Sequence, residues 1–316
     1  MTDTLRWGIL GNAKIARDHL APAIHASQRG ALTAVASLSG RPMDGFGPLT
    51  LHTSYEAMLA DPDVDAIYIP LPNNMHVEWT RRALQAGKHV LCEKPISWTA
   101  AEIEPLIAAR DASGKIAAEA FMVCFHPQWQ HVRKLIADGA IGELRHVQGA
   151  FTFNNTDLDN IRNRPEMQGG ALGDIGVYPS VTTRFATGQE PLRATSRTTL
   201  ENGVDVTTRT WVEFDGFALD FYVSMRMTNR QHMTFHGSDG VIELPAPFNA
   251  QLVDDPCVIL RTGDTKTIQR FGRAQQYVAQ VDAFNDSALN GTPHPYPLEF
   301  SRANATMLDM IRAGAQ

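Results

Sequence analysis

The chain has 316 residues, 43% hydrophobic and 20% charged, which is enough length for two cores and the composition of a globular protein. A formal net charge of −6 argues against a nucleic-acid or anionic-membrane partner, because phosphate binding needs a cationic surface. The first residues lack a secretory pattern and no apolar run reaches the about 18 to 20 residues that span a bilayer, so a cytoplasmic protein is expected.

In chain order the predicted elements are a strand at 5–10, a helix at 13–28, a strand at 32–38, and a Gly- and Pro-rich loop at 39–48. A short helix at 54–59, a strand at 64–69, a helix at 75–86 ended by Gly87, and a strand at 88–92 follow. Thr99 and Glu102 form a capping box for a helix running to 112, then come a strand at 116–121 and a helix from Pro127 to 138. Beyond 143, strand-like stretches follow one another at 146–154, 193–200, 206–214, 217–225, 232–236, 241–244, 258–261 and 266–271, with Asp215-Gly216 as a turn between two of them. Helices at 275–289 and 301–313 close the chain.

The alternation of strand and helix, followed by consecutive strands, predicts an α/β fold. An N-terminal Rossmann, doubly wound parallel sheet precedes a C-terminal α+β domain with a large open, mostly antiparallel sheet. The expected domains are 1–122 for dinucleotide binding, 123–300 for substrate and oligomerisation, and a C-terminal helix at 301–316 packing back on the first.

Between the first strand and its helix stands Gly11-Asn12-Ala13-Lys14-Ile15-Ala16, a glycine-rich phosphate turn with Ala13 in the place of the second glycine. A helix N-terminus right after a parallel strand receives phosphate charge. The second strand ends without the acid that would hold a ribose 2′-hydroxyl. Ser37, Ser39 and Arg41 offer two hydroxyls and a guanidinium for a 2′-phosphate instead, while Leu38 offers nothing polar, so NADP is favoured over NAD. Further on, the strand at 88–92 stops at Glu93-Lys94-Pro95, which sets an ammonium and a carboxylate at a parallel strand's carboxyl end, where open α/β sheets bind ligands. The run Gly169-Gly170-Ala171-Leu172-Gly173-Asp174-Ile175-Gly176-Val177-Tyr178-Pro179 adds a carboxylate and a phenol at helical spacing. Cys92, Cys124 and Cys257 are odd in number and far apart, so reduced, buried thiols and no metal site are expected.

With Pro70-Leu71-Pro72-Asn73-Asn74-Met75-His76 and Gly87-Lys88-His89-Val90-Leu91-Cys92-Glu93-Lys94-Pro95, these motifs resemble the glucose-fructose oxidoreductase and inositol dehydrogenase family of two-domain nicotinamide enzymes. Glu119-Ala120-Phe121-Met122 and Phe125-His126-Pro127-Gln128 look like its branch of NADP-linked aldose (xylose) dehydrogenases and dimeric dihydrodiol dehydrogenases, with Cys124 where that branch carries an arginine.

The resemblance implies hydride transfer between NADP or NAD and a hydroxyl or carbonyl of a sugar, polyol or cyclic diol. Such chemistry needs a proton acceptor for the hydroxyl while hydride leaves carbon. Tyr178 is the implied proton-transfer group, with Lys94 lowering its pKa and bonding the substrate oxygen, and Asp174 orienting the lysine. Pro72, Asn73 and His76 resemble the nicotinamide-side loop, with His76 alternatively a helix-start residue. Glu93 is expected at the cofactor ribose or the loop backbone. His126 lines the substrate pocket or caps its helix, and Arg162, with Asn163 and Arg164, binds substrate or is solvated. A homodimer or higher oligomer through the second sheet is implied, with Trp211, Phe221 and Tyr222 as exposed apolar residues that would suit such an interface or helices of the same chain. The competing functions are a non-catalytic nucleotide- or sugar-binding regulator on the same fold, and a glycoside-cleaving enzyme that keeps its nicotinamide. Retention of Lys94, Asp174 and Tyr178 together speaks against the regulator.

Overall fold

A computed structural model describes residues 3–250, 255–272 and 274–315. The chain divides into two compact units. One holds the residues up to Met122 together with Gln275–Arg302, and the other holds Val123–Ala274 and the residues from Ala303 on.

The first unit is built on a six-stranded parallel sheet of β1 (Leu5–Leu10), β2 (Gly30–Ala36), β3 (Thr50–His52), β4 (Ala66–Ile69), β5 (His89–Cys92) and β6 (Ala117–Glu119), in the order β3-β2-β1-β4-β5-β6. This is the doubly wound order, and it puts the switch point between β1 and β4. Its central strands are buried on both faces, with Ile9, Tyr68 and Leu91 all fully covered. The short edge strand β3 falls within a stretch whose composition predicted only loop and helix. The helix Gln276–Asn290 belongs to this unit, not to the second domain as its place in the sequence suggested. Phe284 packs on Trp7 at 5.0 Å between ring centroids, and the Trp7 indole N–H donates to Asn285 Oδ1 at 2.9 Å. Burying that apolar pair is what recruits the helix.

The second unit carries an eight-stranded sheet of β7 (Leu144–Asn154), β8 (Arg193–Glu201), β9 (Val204–Glu213), β10 (Ala218–Ser224), β11 (Arg226–Gly237), β12 (Gly240–Leu244), β13 (Cys257–Thr262) and β14 (Thr265–Arg270). The order is β14-β13-β12-β11-β7-β10-β9-β8, and every pair is antiparallel except β7 with β10. Val147, Phe151, Phe221 and Phe235 point to the buried face. Against it lies the helix Val177–Thr187, buried on every side through Ala186. The hydroxyls of Ser180, Thr182 and Thr183 are satisfied by carbonyls one turn back in that helix, so they can be buried at little cost. The last residues depart from expectation. Ser196 on β8 bonds the carbonyls of Ile311, through its hydroxyl at 2.8 Å, and Gly314, through its N–H at 2.9 Å, so the helix Leu298–Ala313 is shared: its residues from Ala303 on join the second unit, while Ser301 and Arg302 stay with the first. Among the described residues no helix is long and apolar enough to cross a membrane.

Candidate active site

In the first unit the chain leaves β1 through Gly11, whose φ of 99° only glycine adopts without strain and whose N–H donates to Ala36 O at 2.8 Å. The Asn12 side chain donates to Pro42 O at 2.8 Å and so ties this turn to the loop after β2. Between turn and loop is a cavity of about 560 Å³ lined by Gly11, Asn12, Ser37, Ser39 and Arg41, with Leu38 and Pro42 beside them. The Ser37 and Ser39 hydroxyls are 3.2 Å apart. Arg17 and Tyr55 also line it, and no lining residue is acidic. Two guanidinium groups and the hydroxyls of Ser37, Ser39 and Tyr55, without a carboxylate, suit a phosphate-bearing adenosine ribose.

Sequence reading missed Arg17 and Tyr55. Arg17 stands one helical turn after Ala13, a signal that was present, and it also bonds the Asn12 backbone oxygen. Tyr55 reaches the cavity only because the helix Tyr55–Ala60 packs beside β1. Ala13, Lys14 and Ile15 form the helix entrance and none lines the cavity. Lys14 is exposed and its ammonium pairs with Asp18 one turn on, so its side chain runs along its own helix instead of into the phosphate turn.

Pro72 and Asn73 are half-buried at the 3-10 turn Asn73–Met75 beyond β4. His76 is a correction. It is buried, with Nδ1 2.7 Å from Pro95 O and Nε2 2.8 Å from Leu71 O, so both ring nitrogens face backbone and neither is left for a cofactor. Its burial lowers the imidazole pKa against the opposing pull of the two carbonyls. The ring instead joins the loop after β4 to the loop after β5. Glu93 takes the Tyr68 hydroxyl at 2.5 Å, and its other oxygen lies 3.3 Å from the Lys94 backbone N, so it contacts the loop backbone. Lys94 follows half-buried, its peptide to Pro95 cis, within electrostatic reach of Glu119 and His76.

In the second unit Asp174 lies in a π-helical segment, Leu172–Gly176, that runs straight into the helix carrying Tyr178. Such wide turns concentrate at functional sites. Asp205 caps the segment by accepting the Leu172 N–H at 2.6 Å, and its burial pushes the carboxyl up to about 6. Gly170, at φ 123°, lies so close to Asp205 that any Cβ there would overlap the carboxylate. The Asp174 carboxylate accepts the Arg162 Nε–H at 2.6 Å, so the expected substrate-binding arginine is paired with the expected catalytic acid. The Tyr178 ring is buried against the stacked pair Phe151 and Phe248, with centroids 5.5 and 5.4 Å away. Neighbouring Asn163 is buried and takes an Arg226 N–H at 3.0 Å, and Arg164 pairs with Glu166 at 2.7 Å.

His126 resolves to the cap. It is fully buried, Nδ1 accepts the Gln128 N–H at 3.1 Å at the head of the helix Pro127–Ala137, and burial lowers the ring to about 4, which keeps it neutral. A pocket-lining role would need an exposed ring edge.

Residues 5–121 match the model of an oxidoreductase family with an NAD-binding Rossmann fold, and residues 129–243 match the GFO/IDH/MocA C-terminal domain. An uncharacterized oxidoreductase of Rhizobium meliloti is 36% identical, with 99% of this chain and 98% of the relative aligned. The NADP(+)-named D-xylose 1-dehydrogenase 2 of Haloferax volcanii is 31% identical over 99% of this chain and 98% of its own. Among solved structures, that of KijD10, a 3-ketoreductase from Actinomadura kijaniata in complex with NADP and TDP-benzene, superposes with a TM-score of 0.92 at 31% identity, covering 99% of this chain and 98% of the other. With the doubly wound sheet, the glycine turn and the open second sheet in place, these likenesses assign the chain to the GFO/IDH/MocA family of oxidoreductases.

Proposed function

We propose that this protein is an NADP-dependent dehydrogenase or reductase that moves a hydride between the nicotinamide ring and a hydroxyl or carbonyl carbon of a sugar, polyol or cyclic diol. The observation that carries the cofactor choice is the acid-free cavity beside Gly11, where Arg17, Arg41, Ser37 and Ser39 converge. Its donors fit a 2′-phosphate, and a free 2′-hydroxyl would find no carboxylate there. NADP also stands in the names of the xylose dehydrogenase and of the ketoreductase complex.

When bound, the cofactor supplies the hydride acceptor or donor. The chain supplies proton transfer and positioning. Tyr178 takes the hydroxyl proton at its phenol oxygen during oxidation and returns it during reduction, and the two flanking rings fix where that oxygen stands. Lys94 donates a hydrogen bond from its ammonium to the reacting oxygen. Asp174, its carboxylate fixed by Arg162, assists by accepting from the groups around that oxygen. The roles of the lysine and the tyrosine have support from the 3-ketoreductase, crystallised with a lysine replaced and with a tyrosine replaced, whose sequence spacing equals that of Lys94 and Tyr178.

We place the reaction in the cytoplasm, where three buried cysteines without a disulfide stay reduced, and in a homodimer that covers the second sheet. The test is a cofactor-reduction screen with NADP and NAD in parallel across aldoses, inositols and cyclic dihydrodiols. The expected result is reduction of NADP by at least one member, faster than of NAD. Binding of neither cofactor would end the proposal.

A further inference from the structure

We infer that Glu119 is a positioning residue for Lys94, holding the backbone that presents the lysine and governing the charge beside its ammonium. This rests on the catalytic reading of Lys94. Glu119 ends β6 and pairs in register with Cys92, the last residue of β5, so its side chain stands beside the segment that follows. One carboxyl oxygen accepts the Ile96 N–H at 3.0 Å, two residues past Lys94, and the Ser301 hydroxyl bonds the same carboxyl. The segment is held elsewhere too, by Glu93 N–H on Ile69 O at 3.0 Å and by His76 on Pro95 O. Glu119 is the one of these anchors that carries an ionisable carboxyl 5% exposed.

Four groups face it: Glu93 and Lys94 from the loop after β5, the Cys92 thiol from β5 itself, and Ser301 from the helix Leu298–Ala313. Burial raises its pKa to about 8, Glu93 adds to the rise, and the Ile96 N–H, the Ser301 hydroxyl and Lys94 oppose it. Near neutral pH the carboxyl therefore keeps its proton and sets no negative charge beside the lysine. Ionisation sets a negative charge beside the ammonium, draws it toward Glu119 and weakens its bond to the reacting oxygen.

The experiment compares kcat/KM against pH for the wild type, Glu119→Gln, Glu119→Ala and Lys94→Met, with NADP affinity measured for each. Glu119→Gln keeps an acceptor for Ile96 but cannot ionise, so the inflection near pH 8 is expected in the wild type and absent in this variant. Glu119→Ala removes the anchor and is expected to lower kcat on the order of tenfold or more while NADP still binds. A Glu119→Gln profile superimposable on the wild type while Lys94→Met abolishes turnover overturns the inference alone. Full turnover in Lys94→Met overturns it together with the catalytic reading.

Discussion

The Tyr178 ring packs against Phe151 and Phe248, so Tyr178→Phe keeps the ring contacts and removes the proton site. The expected loss in kcat is on the order of 100- to 10,000-fold with NADP affinity unchanged, checked by steady-state kinetics and cofactor titration. Arg41 makes the opposite separation. Arg41→Ala is expected to weaken NADP binding by roughly 1.5–3 kcal/mol, about ten- to a hundredfold, and to leave NAD binding unaltered, as read by calorimetry with each cofactor. The places of Lys94, Asp174, Tyr178 and of Ser37, Ser39 and Arg41 in the fold were legible in the sequence because a strand end or a fixed helical spacing sets them. Arg17 and Tyr55 were not, since their part in the cavity depends on how segments far apart in the chain pack. For His76 and His126 the sequence left a ligand role and a structural role open, and burial sets both His76 nitrogens and the His126 Nδ1 against backbone groups. Lys14 differs, being exposed and paired with the Asp18 carboxylate on its own helix.

At the level of elements, the loops after β4 and β5 are joined by one imidazole. His76→Ala would leave Leu71 O or Pro95 O without its donor in a buried setting, and it removes a packed ring as well. We expect a loss of about 2–4 kcal/mol in urea unfolding, and a loss of turnover larger than the loss of NADP affinity, because the disturbed loop carries Lys94. Unaltered stability would show that the clamp is dispensable. Most strands and amphipathic helices were readable from periodicity, but the helix Val177–Thr187 was not among the predicted elements. Buried all round, it has no polar stripe to reveal its period, and its three buried hydroxyls look like loop composition until their bonds to the preceding turn are seen. The edge strand β3, three residues long, is too short for any periodic signal.

For the molecule as a whole, two α/β and α+β units were visible in the change of pattern near residue 143, but their membership was not. Helix Gln276–Asn290 lies far along the sequence yet completes the core around Trp7, a long-range pairing that local patterns do not encode. The exposed face of the second sheet carries Trp211, 45% exposed and beside His146 at 5.4 Å, the kind of aromatic anchor that interfaces enrich. Trp211→Asp is expected to turn a dimer into monomers by light scattering, and a monomeric wild type at micromolar concentration would remove the dimer altogether. The central claim is hydride transfer to NADP, and its most direct test follows the hydrogen itself. A substrate found by the screen is labelled with deuterium at the carbinol carbon, and the reduced cofactor is analysed by mass spectrometry. The account predicts stoichiometric deuterium in released NADPH from the wild type, formed on the order of 100- to 10,000-fold more slowly by Tyr178→Phe; unlabelled NADPH, or oxidised product formed without any reduced cofactor being released, would contradict it.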